Sequence, residues 1–364
     1  MHAELRPFRL ALRAPLVTGS VPIRFRAGFL VSLSADGLVG WGEASPLPGW
    51  SRTSVLDTEA ALRRTLDALE AGGEDALDDL LDSLPDAPHA RAAVSGAWAD
   101  LRAQRAGRSL AAELCRGPRR DVPAAVTVNA LVAAPEPSGV ERDARHAAGD
   151  GFGAVKLKVG AADPVVDVAR VRAARAGLGP DAELRLDANG AWDPVTALDV
   201  LGRVQDCDIA YCEEPVSGIE AIAAVGQRSP VPVAADESIR VEADAARALE
   251  LGVGTLIVKP QALGGPDVAL TVASRAREVG ASAVVTSFLD SAVGVAHAVH
   301  VAAAVDAAAP RGRAHGLATA SLLASDVAEA LPVVAGAMAV PATGGLGLVP
   351  AGGATPHGPG KAPR

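Results

Sequence analysis

Apolar and polar positions follow two regimes along this chain. In the first hundred or so residues, FRLAL at 8–12, FRAGFLVSLSA at 25–35 and LVGWGEA at 38–44 alternate between apolar and polar, with Gly37 and Gly40 as turn residues. That is the period of half-buried antiparallel strands. Two stretches at 52–71 and 88–105 then shift to helical spacing, the second through Val94, Ala97, Trp98 and Leu101. After the Pro/Arg-rich segment GPRRDVP at 117–123, which reads as a linker, the pattern changes to short continuous apolar runs. The first is AAVTVNALV at 124–132. Five more close on charged residues: AVKLKVG at 154–160, ELRLDANG at 183–190, IAYCEEP at 209–215, VPVAADES at 231–238 and TLIVKPQ at 255–261. Their spacing of roughly 25 residues holds one strand, one helix and two loops, so the pattern predicts a βα repeat.

The intervening helices are predicted at 163–177, 194–205, 217–228, 241–251 and 266–279, with Asp163-Pro164 and Asp193-Pro194 as helix starts. A seventh strand reads as SAVVTSF at 282–288 and a short eighth as AHGLATA at 314–320. The predicted fold is α/β: a TIM-like barrel over 122–324 and an N-terminal α+β domain over 1–116. The run LPVVAGAMAV at 331–340 leads the chain back, so that 325–350 completes the first domain. A tail over 351–364, rich in Gly and Pro, is expected to be disordered.

Strands of such a repeat point their C-terminal ends to one face, where this architecture places its chemistry. Lys158, Asp187, Glu213, Asp236 and Lys259 would converge there. Three carboxylates brought together repel unless a cation sits between them, and an all-oxygen set favours a hard ion such as Mg2+. Lys156 and Lys158 lie two apart on a strand and share a face. Two ammonium groups so placed disfavour each other's charge, which would leave an amine able to take a proton near neutral pH. Asn189 shares a face with Asp187 as a residue beside the metal. Pattern leaves Glu213 against Glu214 open; Asp236 closes its apolar run and is the better ligand, with Glu237 placed to orient a lysine.

Other signals narrow the field. A length of 364 residues suits a barrel of about 250 residues or fewer plus a smaller domain. The net charge of -9 argues against nucleic acid; Arg119 and Arg120 read as part of a solvated loop. The most lipid-like stretch, 292–305, contains His297 and His300 and is too short for a span of about 20 residues, so it reads as a buried helix. Three cysteines without metal-binding spacing and a start without a secretory apolar core suit a reducing cytoplasm. Gly151 and Gly153 precede a strand, which excludes a dinucleotide fingerprint, and Gly264-Gly265 reads as a tight turn. The oligomeric state is left open.

The KLK, LDAN, EEP, ADES and VKP elements resemble those of the enolase superfamily, muconate lactonizing subgroup. The resemblance covers roughly 5–340 and implies a capping domain over a modified (β/α)7β barrel. It implies that Glu213, the first position of Glu-Glu-Pro, is the metal ligand beside Asp187 and Asp236. GWGEASPLPGWS at 40–51, TSFLDSAVG at 286–294 and HGLATASLLASDV at 315–327 further resemble segments of the o-succinylbenzoate synthase family of menaquinone synthesis. This implies a small-molecule carboxylate substrate, 2-succinyl-6-hydroxy-2,4-cyclohexadiene-1-carboxylate, dehydrated to 2-succinylbenzoate. Lys158 would be the base and Lys259 a retained charge; Ser287 and its neighbours would bind the succinyl carboxylate through backbone N–H groups. Arg24 or Arg26 would close over the substrate. Racemisation of N-acylamino acids or epimerisation of dipeptides uses the same five charges, though HGLATAS lacks the Asp-x-Asp expected of a dipeptide site. A non-catalytic scaffold would be expected to have lost a member of the set, and none is lost.

Overall fold

The computed structural model describes residues 1–18, 21–115, 121–161, 163–309 and 313–351. The tail past Ala351, Arg119 and Arg120 of the linker lie outside the described residues.

Strands β1 (His2–Thr18), β2 (Val21–Ala35) and β3 (Leu38–Ala44) form an antiparallel sheet in that order. Alternation along β2 sends Phe29, Val31 and Leu33 into one apolar cluster and Leu30 into another. The first cluster packs against α1 (Val55–Gly72) and α3 (Pro88–Arg105), with the short α2 (Leu77–Asp82) beside them. The second contains Val293 and Ala296 of a barrel helix. Both faces of the sheet are therefore covered. Ser54 and Asp57 form a capping box that starts α1. Gly40 and Gly42 let α3 lie directly on β3: a Cβ there would fall 2.1 Å from Ala97 O and 1.9 Å from Ala93 O. The short α4 (Leu110–Leu114) follows.

The run at 124–132, expected as one strand, is two: β4 (Ala125–Thr127) and β5 (Ala130–Val132). The two halves have different partners. After α5 (Pro137–Gly149), which the pattern did not announce, come β6 (Ala154–Lys158), α6 (Pro164–Leu178), β7 (Glu183–Asp187), α7 (Pro194–Arg203) and β8 (Ile209–Glu213). Next are α8 (Ile219–Gly226), β9 (Val233–Ala235), α9 (Glu242–Glu250) and β10 (Thr255–Val258). The repeat ends with α10 (Pro260–Leu263), α11 (Pro266–Glu278), β11 (Ser282–Val285) and α12 (Ala292–Ala308). Asp163 and Asp193 cap α6 and α7, as their Asp-Pro pairs predict.

Strands β5 to β11 form one parallel seven-stranded sheet in sequence order, curled and flanked by helices in the TIM-like manner. The predicted eighth strand contracts to two bridge residues. Parallel bridges join Gly316 to Thr286 beyond β11, and His315 to Val128 between β4 and β5, so this segment links the two edges of the sheet. Of the segment expected to complete the capping domain, β12 (Val333–Val334) and β13 (Ala337–Ala339) instead form a hairpin whose second strand pairs with β4. The segments flanking the hairpin meet the first domain, for example where Leu346 N–H donates to Asp100. Among the described residues no helix is long and apolar enough to cross a membrane.

Candidate active site

Lys158, Asp187 and Glu213 are the last residues of β6, β7 and β8, paired in register across the sheet. Asp236 and Lys259 stand one residue past β9 and β10. The apolar runs hold the strands in the core, and the charge at each tip emerges at the same level. One carboxylate oxygen from each of Asp187, Glu213 and Asp236 lies within 4.8 Å of the others, and all three residues are buried. Glu214 turns away with φ of 39° and accepts from Asp236 N at 2.8 Å and from Ser238 Oγ. Glu237 accepts from Asn189 Nδ2 at 2.5 Å, while its Oε2 has no hydrogen-bond partner.

Lysines surround the acidic cluster. Lys156 Nζ is 2.8 Å from Glu213 and 3.0 Å from Asp187; Lys158 Nζ is 2.7 Å from Asp187 and donates to Asn189 Oδ1 at 2.8 Å. Lys259 pairs with Asp236 and sits 4.3 Å from the Trp50 ring centroid. The expected mutual lowering of the lysine pair does not hold for Lys156. Burial works against its charge, but Asp187, Glu213 and Asp236 together hold the ammonium well above its ordinary range. Among the acids, burial raises both Asp187 and Glu213. At Asp187 the two lysines overrule it and the carboxyl falls far below its ordinary value, whereas at Glu213 the charges of Asp187 and Asp236 add to it and the group reaches about 7. Asp187 and Glu213 are thus driven in opposite directions beside a third carboxyl group. A hard divalent cation would relieve that strain, and an all-oxygen donor set is what such an ion takes, so the residues fit a metal site.

A cavity of about 870 Å3 opens over the cluster, of a size suited to a small organic ligand. All three lysines line it. Trp50 and Leu47 enter from the capping domain, and Phe288, Leu289 and Leu317 give it apolar walls. Among the described residues lining it, the only carboxylates are Asp187 and Asp236. Ser287 lines it too, its Oγ 2.8 Å from Thr319 Oγ1, but backbone capture of a carboxylate at this point meets an obstacle: Ser287 N–H donates to Gly316 O and Phe288 N–H to Asp290.

Arg26 is corrected outright. Its guanidinium is buried and donates to the carbonyls of Ser45, Pro46 and Leu289, so it ties the capping domain to the loop after β11 and does not reach the substrate space. Arg24 is exposed and does not line the cavity. His297 and His300 are buried in α12 against Trp41 O and Leu346 O, as the helix reading expected. Trp50, Phe288 and Gln261 escaped the sequence reading as individual residues. The signal was present for Trp50: one of only four tryptophans, it stands in a Pro/Gly loop where a buried-core role is hard to satisfy.

Residues 139–353 match the family described as Enolase C-terminal domain-like, and residues 1–88 match the MenC N-terminal domain. The chain is 40% identical to the o-succinylbenzoate synthase of Thermobifida fusca (strain YX) over 56% of its own length and 62% of that protein's. It is 31% identical to the o-succinylbenzoate synthase of Enterobacter sp. (strain 638) over 83% and 86%. The L-Ala-D/L-Glu epimerase of Bacillus subtilis (strain 168) is 30% identical over 82% and 81%. A solved substrate-liganded complex of the B. subtilis epimerase superposes with a TM-score of 0.86, at 26% identity, covering 96% of this chain and 98% of that one. The chain belongs to the enolase superfamily, a family of enzymes. Within it, the N-terminal match and the synthase relatives bear out the resemblance to the o-succinylbenzoate synthases.

Proposed function

We propose that this enzyme is an o-succinylbenzoate synthase, a cytoplasmic Mg2+-dependent lyase of menaquinone synthesis built on a modified (β/α)7β barrel. It would convert 2-succinyl-6-hydroxy-2,4-cyclohexadiene-1-carboxylate to 2-succinylbenzoate and water. The observation that carries this reading is the composition of the cavity: three lysines over an acidic triad, apolar walls and, among the described lining residues, no carboxylate beyond Asp187 and Asp236 to receive a substrate ammonium.

Asp187, Glu213 and Asp236 would hold Mg2+, with Asn189 and Glu237 steadying the neighbouring groups. When bound there, the ion supplies neutralisation of the substrate carboxylate and stabilisation of the charge that builds up beside it. Lys158 takes the α-proton, leaving the electron pair conjugated with the carboxylate. The ring C–O bond then breaks, the hydroxyl leaves with the proton returned by Lys158 on the same face, and the ring becomes aromatic. Lys259, across the cavity, stays an ammonium and opposes the developing negative charge. Lys156 holds Glu213 and Asp187 in place from below. The Ser287 hydroxyl, with Thr319, offers a polar contact for the succinyl end.

One observation favours a second reading. Lys158 and Lys259 stand on strands separated by three others, which is also the placement a two-base racemase of N-succinylamino acids needs. Dipeptides fit less well, since their free ammonium finds no spare carboxylate among the lining residues. Loss of diene absorbance with the cyclohexadiene substrate, run beside racemisation of an N-succinylamino acid, separates the readings. Dehydration is expected to dominate; racemisation without dehydration would reverse the assignment. Chelation with EDTA should stop turnover and Mg2+ restore it, and full activity in metal-free buffer would remove the triad from its role.

A further inference from the structure

Lys259 caps the N-terminus of α10, and two residues on, inside that turn, Gln261 is buried. Its side chain is the meeting point of three segments. Oε1 accepts from Ser45 N at 2.7 Å, faces His89 Nδ1 at 3.2 Å and lies 3.0 Å from Ser45 Oγ, whose single proton has the nearer Glu43 carboxylate at 2.7 Å; Nε2 donates to Asp290 Oδ1 at 2.9 Å. Three contacts converge on one oxygen, which fixes the amide's orientation.

His89 carries the connection onward. Its Nε2 lies 2.8 Å from Ser51 Oγ, and that hydroxyl also accepts from Leu47 N at 2.8 Å. A hydroxyl has one proton, and among the described residues the side-chain acceptor facing it is Nε2. Ser51 therefore donates to Nε2, and the imidazole proton sits on Nδ1, pointing at Gln261. The ring stacks on Phe288 at 5.6 Å and 23°, and Phe288 meets Trp50 edge-on at 5.9 Å. Trp50 in turn lies over the Lys259 ammonium. The contacts run in a closed loop, from the Lys259 turn through Gln261, His89 and Ser51 to Trp50 and back to the Lys259 side chain.

We propose that Gln261 and His89 are positioning residues that register the capping-domain loop 45–51 against α10, so that Trp50 and the ammonium of Lys259 are set together. The proposal rests on the role given above to Lys259. Its physical basis is that Asp236, the other partner of Lys259, would be drawn to the metal; the loop of contacts is then what fixes the ammonium over the cavity. Asp-to-lysine attraction varies with the metal, whereas the Gln261 and His89 bonds involve none of the three acidic groups that would hold it.

The test uses Gln261→Met, which keeps the length and removes every hydrogen bond, and His89→Phe, which keeps the stacking on Phe288 and breaks the relay. Both are measured on full-length protein with Mg2+ present. We expect kcat to fall about 100-fold, the loss typical of a misplaced reacting group, with KM and Mg2+ affinity within threefold of the parent. Trp50 emission, obtained by difference against Trp50→Phe in each background, should become more open to acrylamide quenching. If Gln261→Met does not fold, His89→Phe decides. Folded variants whose kcat and Trp50 quenching both stay within twofold of the parent overturn the proposal. The emission readout needs no substrate, so it tests the link even if the parent fails both activity assays, in which case the proposed function fails and the positioning link is judged separately.

Discussion

The two sides of the cavity mouth hold their lysines by different means. On the β6 side, Arg170 and Asp167, both buried, brace the strand end from within the barrel: Arg170 donates to Lys158 O at 2.8 Å and to Asp167 at 2.8 Å, and Asp167 accepts from Gly160 N. Among the described residues, the polar partners of the Lys158 side chain are Asp187 and Asn189. On the β10 side the brace passes through Gln261 into the capping domain, and the Lys259 ammonium faces the rings of Trp50 and Phe288 at 4.3 Å and 6.0 Å. Aromatic faces favour the charged form of a lysine. If a cation claims Asp187 and Asp236, Lys158 loses its carboxylate and keeps an amide, while Lys259 keeps two rings. That asymmetry suits a proton carrier on one side and a standing charge on the other, and it places the cap's influence on Lys259 alone.

The largest break in this comparison is Lys158→Ala. A proton-transfer group is worth up to about 10^4 in rate, so turnover should fall by roughly that factor. Far-UV circular dichroism and Mg2+ titration should match the parent, because the strand end is braced through backbone and Arg170. A residual rate within tenfold of the parent would exclude Lys158 as the proton acceptor. Lys259→Ala is expected to lose turnover as well, but Lys259→Arg, which keeps charge and stacking, should recover part of it, whereas Lys158→Arg should not.

The site was legible in the sequence where one rule governed it. A buried strand tolerates charge only where it is paired, as Arg185 is with Glu183, so a charged residue closing an apolar run commonly marks the strand's exit, and the roughly even spacing put all five tips on one face. The rule ends where neighbouring residues compete. Glu213 and Glu214 differ by which one the strand still orients, and that turns on the positive φ of Glu214. Arg26 read as a cap residue that would close over the substrate, but its partners are carbonyls of Ser45, Pro46 and Leu289, backbone groups that leave no trace in composition. The run at 124–132 looked like one strand because each half is apolar; its division follows from pairing with a hairpin some two hundred residues later. Gln261 stood in plain view beside Lys259, yet its function lies in contacts to residues 45, 89 and 290.

Asp290 sharpens the comparison on the β10 side at a smaller scale. Burial, reinforced by Glu43, raises its carboxyl from 3.8 to about 7, against the milder opposing pull of the Phe288 N–H bond, Arg26 and Lys259. His89 and His297 also approach this region; burial lowers both, His89 to about 4. In the unfolded chain Asp290 has lost its proton above about pH 4, while the folded chain keeps it to about 7. The folded state therefore binds more protons in that window, and stability falls as pH rises through it, by at most about 4 kcal/mol. Denaturant unfolding of Asp290→Asn should show a flatter decline between pH 4 and 7 than the parent. Equal slopes would mean that Asp290 does not hold its proton in this way.

The smallest expected effect probes the ring itself. Trp50→Leu keeps an apolar wall but removes the face over Lys259, a contact worth about 0.5–2 kcal/mol, which corresponds to roughly a 2- to 30-fold loss. Because the ring touches Lys259 and not Lys158, the loss should disappear in a Lys259→Ala background and persist in a Lys158→Arg background whose residual rate is measurable. The double-mutant cycle thus assigns the ring to one lysine. Additive losses with Lys259 would mean that Trp50 acts only by closing the cavity, and the asymmetry between the two sides would then rest on hydrogen bonding through Gln261 alone.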